Sequence, residues 1–413
     1  MKSPTSFPLS TPLALPNGAV VPNRIAKAAM EENMADAGQL PGPALQALYA
    51  AWARGGAGLV ITGNVMVDGR ALTGPGGVVL ERDTPREPFR AWSRAARAGG
   101  AQVWMQVNHP GRQVFKAMGG QAWAPSAVAL DIGRHSGVFA APRAMTEAEI
   151  AEVVTRFADT AVAAEACGFT GVQIHAAHGY LISQFLSPLA NRRTDAWGGA
   201  LANRARLLLD VVKAVRARVS PGFCVAVKLN SADFQRGGFS PDDARQVLAW
   251  LGELAVDLVE LSGGSYESPA MQGRTADGRT LAREAYFLEF ARELAQAATM
   301  PLMTTGGIHR RAVAEQVLAS GVAMTGIATA LADAPDLPAD WLAGRDRDVA
   351  PQVVAWKDKG LASLATMALV KRRLRAVGAV ASAPRRHSPL WSLVIDQLRT
   401  QRLTRRYRRW IGR

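Results

Sequence analysis

The chain has 413 residues, 48% hydrophobic and 20% charged, a balance that suits a soluble globular protein with one large domain and an appendage. Its two cysteines, Cys167 and Cys224, make no CxxC pair, which excludes zinc ribbons and cysteine-held clusters and reads them as small core hydrophobes in a reducing compartment. The net charge of +14 sits at the end of the chain: from Ala350 onward fifteen Lys and Arg face two Asp, a surplus of +13, so the near-neutral body is not a nucleic-acid platform.

Taken in order, the chain opens without a charged-then-apolar leader, and no apolar run reaches the length of a membrane span, so the expected location is the cytoplasm. Between Asn23 and Leu331, short apolar runs alternate with helical patterns. The strand candidates are Ile25–Ala28, Leu59–Thr62, Gln102–Val107, Gly171–Ile174, Cys224–Leu229, Leu258–Leu261, Pro301–Thr304 and Ala323–Ile327. Eight such runs separated by helices predict a (β/α)8 TIM barrel. Thr146-Glu147-Ala148-Glu149 is a capping box opening a long helix through Val153, Phe157, Ala161 and Ala164. Leu201–Val219 reads as a further outer helix, and Ser240-Pro241-Asp242-Asp243 as a cap with proline at the first helical position. Pro110–Arg143 is too long for a simple connection and is expected to act as a lid. After about Ala350, helical patterns at Leu361–Arg375 and Trp391–Trp410 are joined by a link containing Pro and Ser. Two parts result: a barrel over 1–349 with the lid-like loop 110–143, and a basic helical C-terminal extension over 350–413.

Active sites of such barrels lie at the C-terminal ends of the strands. The fourth candidate strand delivers His175-Ala176-Ala177-His178-Gly179-Tyr180. Two imidazoles three residues apart can grip one oxygen as paired donors, and a phenol close behind can quench a carbanion. Two satisfied polar side chains at a loop entrance have the same spacing; a metal site lacks a third ligand nearby. The third strand ends with Gln106, whose amide can meet a planar heterocycle, and the fifth delivers Lys228, able to stabilise an anionic ring. After the seventh, Gly306 and Gly307 precede a helix, where backbone N–H groups can hold a phosphate. Together these describe one pocket for a flat heterocycle, a phosphate and a proton donor.

The run from His175 through Gly179-Tyr180, Asn191-Arg192-Arg193-Thr194-Asp195, Trp197-Gly198-Gly199 and Asn203-Arg204 resembles the central signature of the old yellow enzyme family of FMN-dependent ene-reductases. Asn23-Arg24-Ile25, Gln106 through Arg112, Lys228 through Phe234 and Gly306-Gly307-Ile308 match further blocks in order, over roughly residues 8–345. The resemblance implies FMN as cofactor, NAD(P)H as co-substrate and an enone- or enal-type small molecule as substrate. It implies that His175 and His178 bind the substrate carbonyl oxygen and that Tyr180 donates a proton to Cα while reduced FMN gives hydride to Cβ. Gln106 then meets the flavin pyrimidine edge, Lys228 lies beside N1 and O2, Gly306 and Gly307 bind the phosphate, and Ala29, Met30 and Gly63 line the ring.

Three departures stand out. Glu31 follows Met30 where relatives carry Thr or Cys, so a carboxylate either lowers the flavin potential or points away. Thr329 stands where relatives place an arginine on the FMN phosphate, a loss of about 1.5–3 kcal/mol unless Arg310 or Arg311 substitutes. Trp197 replaces a common tyrosine and is expected to be neutral. Without iron–sulfur cysteines after the barrel, the chain resembles the small single-domain members. An FMN oxidase or demethylase on the same scaffold is the alternative activity, and a degenerate barrel with a membrane-binding tail the more distant one. For the basic tail three roles stay open: packing on the barrel or a neighbouring subunit in a homo-oligomer, contact with an anionic membrane surface, and, least favoured, RNA binding.

Overall fold

The computed structural model describes residues 8–272, 284–296, 298–350, 352–380 and 387–412. Eight strands pair in parallel in chain order: β1 (Ile25–Lys27), β2 (Leu59–Ile61), β3 (Gln102–Asn108), β4 (Gly171–Ala176), β5 (Cys224–Asn230), β6 (Leu258–Ser262), β7 (Leu302–Thr304) and β8 (Met324–Ile327). Because β8 returns to β1, the sheet closes into the (β/α)8 TIM barrel that the eight apolar runs predict. Helices α1 (Pro43–Arg54), α2 (Glu87–Arg97), α3 (Glu147–Ala166), α4 (Leu201–Arg216), α5 (Pro241–Glu253), α6 (Leu288–Ala295), α7 (Arg311–Ala319) and α8 (Leu337–Leu342) follow the strands in turn.

Side chains on a strand alternate between its two faces, and here both faces are buried. Outward-facing Val103, Met105, Val107, Val172, Ile174, Val225 and Val227 join the core shared with the helices. Inward-facing Ala26, Leu59, Trp104, Cys224, Ala226, Leu258, Met303 and Met324 fill the lower barrel, where Leu13, Leu15 and Val21 of an N-terminal hairpin stop the end. The floor is thus apolar, while the same inward rows turn polar towards the mouth at Gln106, Gln173, His175, Lys228 and Glu260. Both cysteines are free and buried.

Local chemistry sets the helix starts. Thr146 accepts from the Glu149 N–H while the Glu149 carboxylate accepts from that of Thr146, and Ser240 and Asp243 do the same at α5. The helix expected over Leu201–Val219 stops at Arg216, where the chain turns towards β5. Pro110–Arg143 is an ordered fold of its own: Phe115 bridges and stacks on Phe139 with ring centroids 5.0 Å apart, and Trp123–Ala124 pairs with Arg143–Ala144. Arg112 fastens it, donating to the Val128 and Ala129 carbonyls and pairing with Glu267 at 2.6 Å.

The tail forms α9 (Lys359–Gly378) and α10 (Pro389–Ile411). The first packs on α1, and the second crosses it at ion pairs of Asp396 with Lys371 and Arg375. One face of α10 docks on the barrel's loops: Tyr407 is buried with Met66, Leu72, Val79 and Met118, and its hydroxyl donates to the Gly69 carbonyl at 2.9 Å. The opposite face leaves Trp391 64% and Leu398 62% exposed. Among the described residues no helix is long and apolar enough to cross a membrane.

Candidate active site

The strand ends bring most of the predicted residues to one mouth. Register places Gln173 of β4 beside Gln106 of β3, His175 beside Lys228 of β5, and Lys228 beside Glu260 of β6, so all five project inward together. All but His175 form one chain of bonds. Lys228 Nζ donates to Glu260 Oε1 at 2.8 Å, Gln173 Nε2 donates to Glu260 Oε2 at 2.8 Å, and Gln106 Nε2 donates to Gln173 Oε1 at 2.7 Å. The Glu260 carboxylate therefore fixes the orientation of the Gln106 amide at the far end, whose Oε1 has no donor among the described residues.

The imidazoles lie at the rim with ring centroids 5.0 Å apart, nearly perpendicular. His175 Nδ1 accepts from the Ala177 N–H at 3.2 Å, so its proton is on Nε2. His178 has a left-handed backbone, φ 62°, held by its N–H donating to Asn230 and by Gln113 of the long loop donating to its carbonyl. Its Nε2 lies 2.7 Å from the Ser262 hydroxyl. Burial holds both rings well below the usual histidine range, helped for His175 by His178 and then Lys228 and for His178 by Lys228, so both are neutral at physiological pH. Tyr180 packs edge-on against His175, and its hydroxyl lies 3.2 Å from that of Tyr266. Burial, followed by Tyr266 and Glu31, pushes its pKa well above the ordinary phenol value, so it keeps its proton.

At the opposite rim Ala29 and Met30 leave β1 half-buried, and Gly63 leaves β2. A Cβ on Gly63 would lie 2.1 Å from the Met30 carbonyl oxygen, so only glycine lets the two loops meet. Beneath them is a buried cluster that sequence reasoning missed. The Tyr49 hydroxyl donates to Glu32 and accepts from the Gly63 N–H at 2.9 Å, while Lys27 Nζ donates to the Ile61 carbonyl at 2.8 Å. Burial lowers the Lys27 pKa to about 8 and raises that of Glu32.

These residues fit FMN. Gln106 offers an acceptor and Lys228 spare ammonium donors to a pyrimidine edge. Gly306 (φ 121°) and Gly307 (φ 69°) hold conformations that only glycine adopts readily, and among the described residues neither N–H has a partner, as a backbone phosphate cradle requires. Of the two arginines expected to substitute on the phosphate, Arg310 pairs through its Nε with Glu284 at 2.5 Å and Arg311 through its Nε with Glu315 at 2.9 Å. Thr329 instead begins the short helix Ala330–Asp333. Trp197 lies edge-on to Phe185 under the Arg206 guanidinium, a packing role. The long signature after Tyr180 is scaffold: Asn191 donates to the Phe185 and Trp197 carbonyls, Arg193 to Pro125 and Met145, and Arg204 to Leu186 and Gly199.

A closed barrel with a paired-glycine turn and a lysine–amide edge at its mouth fits a flavin-binding oxidoreductase. The chain belongs to the NADH:flavin oxidoreductase / NADH oxidase family, whose model matches residues 8–347. It is similar to the NADH-dependent flavin oxidoreductase iliE of Hypocrea jecorina, 38% identical over 80% of this chain and 87% of that protein. It is 31% identical to the NADH oxidase of Thermoanaerobacter brockii over 80% of this chain but only 50% of that longer protein. Among solved structures, the old yellow enzyme homologue from Zymomonas mobilis superposes with a TM-score of 0.70 at 26% identity, over 82% of this chain and 93% of that one. FMN is the cofactor and NAD(P)H the reductant of this family.

Proposed function

We propose that this flavin oxidoreductase reduces the C=C bond of α,β-unsaturated carbonyl compounds. The observation that carries the reading is the convergence of two neutral imidazoles and one protonated phenol at the mouth that also holds Lys228 and Gln106. FMN, when bound, supplies the hydride. The protein's part is to hold the carbonyl oxygen between His175 Nε2–H and His178, where developing enolate charge is stabilised by preset donors. Tyr180, with Tyr266 able to hand on a proton behind it, protonates the neighbouring carbon. Gln106 and Lys228 orient the ring, and the apolar lower barrel excludes water beneath it. Phenolates mimic an enolate, so FMN-loaded enzyme should bind phenols tightly, and the His175→Ala/His178→Ala double variant should lose that affinity. Unchanged phenol binding in the variant would sink the paired-donor reading.

For the tail we propose peripheral contact with an anionic lipid surface, because the outer face of α10 runs from exposed Leu390, Trp391, Val394, Ile395 and Leu398 into exposed Arg402, Arg405 and Arg409. Full-length protein should float with phosphatidylglycerol vesicles and Trp391→Glu/Leu398→Glu should not. Equal flotation of the two would overturn the contact.

A further inference from the structure

Glu31 follows Met30 at the mouth end of β1, and its side chain is held by two donors. Its Oε1 accepts from the Thr73 hydroxyl and, at 3.0 Å, from Asn33 Nδ2. Thr73 is buried on the loop after β2; Asn33 is set in a left-handed conformation, φ 54°, and its carbonyl accepts from Arg399 of α10. Two donors thus hold the carboxylate, one from its own loop and one from the loop after β2, and α10 braces the backbone of the first. It is half-buried, and among the described residues no lysine, arginine or histidine pairs with it, whereas most other carboxylates at the loops have a basic partner. Oε2 has no donor among the described residues. The charge acts on the site itself, since it raises the pKa of both Tyr180 and Tyr266.

A fixed carboxylate with no counter-ion among the described residues, at the same barrel mouth as these phenols, is half of an ion pair. Resting on the enone-reductase reading above, we propose that Glu31 is a specificity-determining residue whose Oε2 receives a cationic group, an ammonium or guanidinium, carried by the substrate. The preferred substrate class is then an unsaturated carbonyl compound bearing a protonated amine, and carboxylate-bearing analogues are repelled. The tail contributes at one remove, as Arg399 holds the carbonyl of the Asn33 that positions Glu31.

The test titrates FMN-loaded full-length enzyme with three phenols of similar size, followed by the perturbation of the flavin spectrum. One carries a para trimethylammoniomethyl group, one a neopentyl group and one a carboxymethyl group. The wild type should bind the cation roughly tenfold more tightly than the neutral probe, and the anion more weakly still. In Glu31→Gln, which keeps acceptors for Thr73 and Asn33, the cation-to-neutral ratio should fall to about one, and Glu31→Asp should restore part of it. Equal affinities in the wild type, or a ratio unchanged in Glu31→Gln, would overturn this proposal while leaving the paired-imidazole reading intact. Failure of all three phenols to bind would overturn both.

Discussion

Replacing Glu260 by glutamine perturbs the cofactor floor at a single atom pair. The carboxylate bridges Lys228 and Gln173 at 2.8 Å each, and all three side chains are buried. Glutamine can present its oxygen to the Lys228 ammonium only by turning its NH2 towards Gln173. Gln173 must then reverse, and Gln106 after it, so the group offered to the flavin edge changes from acceptor to donor. At the same time Lys228 loses its counter-charge. Breaking a buried pair by removing one partner costs about 3–5 kcal/mol. An anionic reduced flavin beside Lys228 recovers part of that and the neutral oxidised flavin does not. If about 1.4–2.8 kcal/mol of the difference appears as preferential binding of the reduced form, the two-electron potential rises by about 30–60 mV. Redox titration of both proteins against a reference dye reads this directly. A potential in Glu260→Gln equal to or below that of the wild type would refute the reasoning.

Further outcomes follow from the same geometry. Tyr180→Phe removes the proton donor without touching the ring's contacts, so stopped-flow should show flavin reduction by NAD(P)H largely preserved and reoxidation by an enone slowed about 100-fold or more; equal damage to both half-reactions would contradict the role. Burial lowers the His109 pKa to about 4, with His175 and His178 also well below the usual value, against about 6.5 for each in the unfolded chain. Their contribution to stability is full above pH 6.5 and lost as the pH falls towards the folded values, by about 3 kcal/mol for His109 alone. Denaturant midpoints should therefore drop between pH 7 and pH 4.5, and a flat profile would count against neutral imidazoles. Tyr407→Phe leaves the Gly69 carbonyl without its donor and should cost about 1–3 kcal/mol, with Tyr407→Ala costing about 3–5 kcal/mol through the added cavity. Faster proteolysis within α10 is the readout, and rates like the wild type would mean that the helix is not docked through this residue.

The barrel was legible because its evidence is repeated: eight apolar runs, a capping box at Thr146 and a proline-marked cap at Ser240 all constrain the same chain. His175, His178 and Tyr180 could be found since strand ends point into the mouth whatever the helices do. Glu260 and Gln173 were missed although a signal existed: counting in twos along β6 from Leu258, or along β4 from Gly171, puts both on the inward face. Tyr266 lay four residues past the end of β6, where the strand-end rule also looks. The Lys27–Glu32–Tyr49 cluster joins β1, its loop and α1, and no local pattern announces such a meeting. The docking of α10 was equally hidden, because Tyr407 and Leu403 sit among arginines and the surface that buries Tyr407 is assembled from segments around Met66–Val79 and Met118, far earlier in the chain.

The most direct test of the whole account is the visible spectrum of the purified protein, before and after anaerobic NAD(P)H and then with cyclohexenone, the released cofactor being identified. The account predicts bound FMN that bleaches with NAD(P)H and recovers when the enone is added. A protein that stays colourless even when supplied with FMN would contradict it.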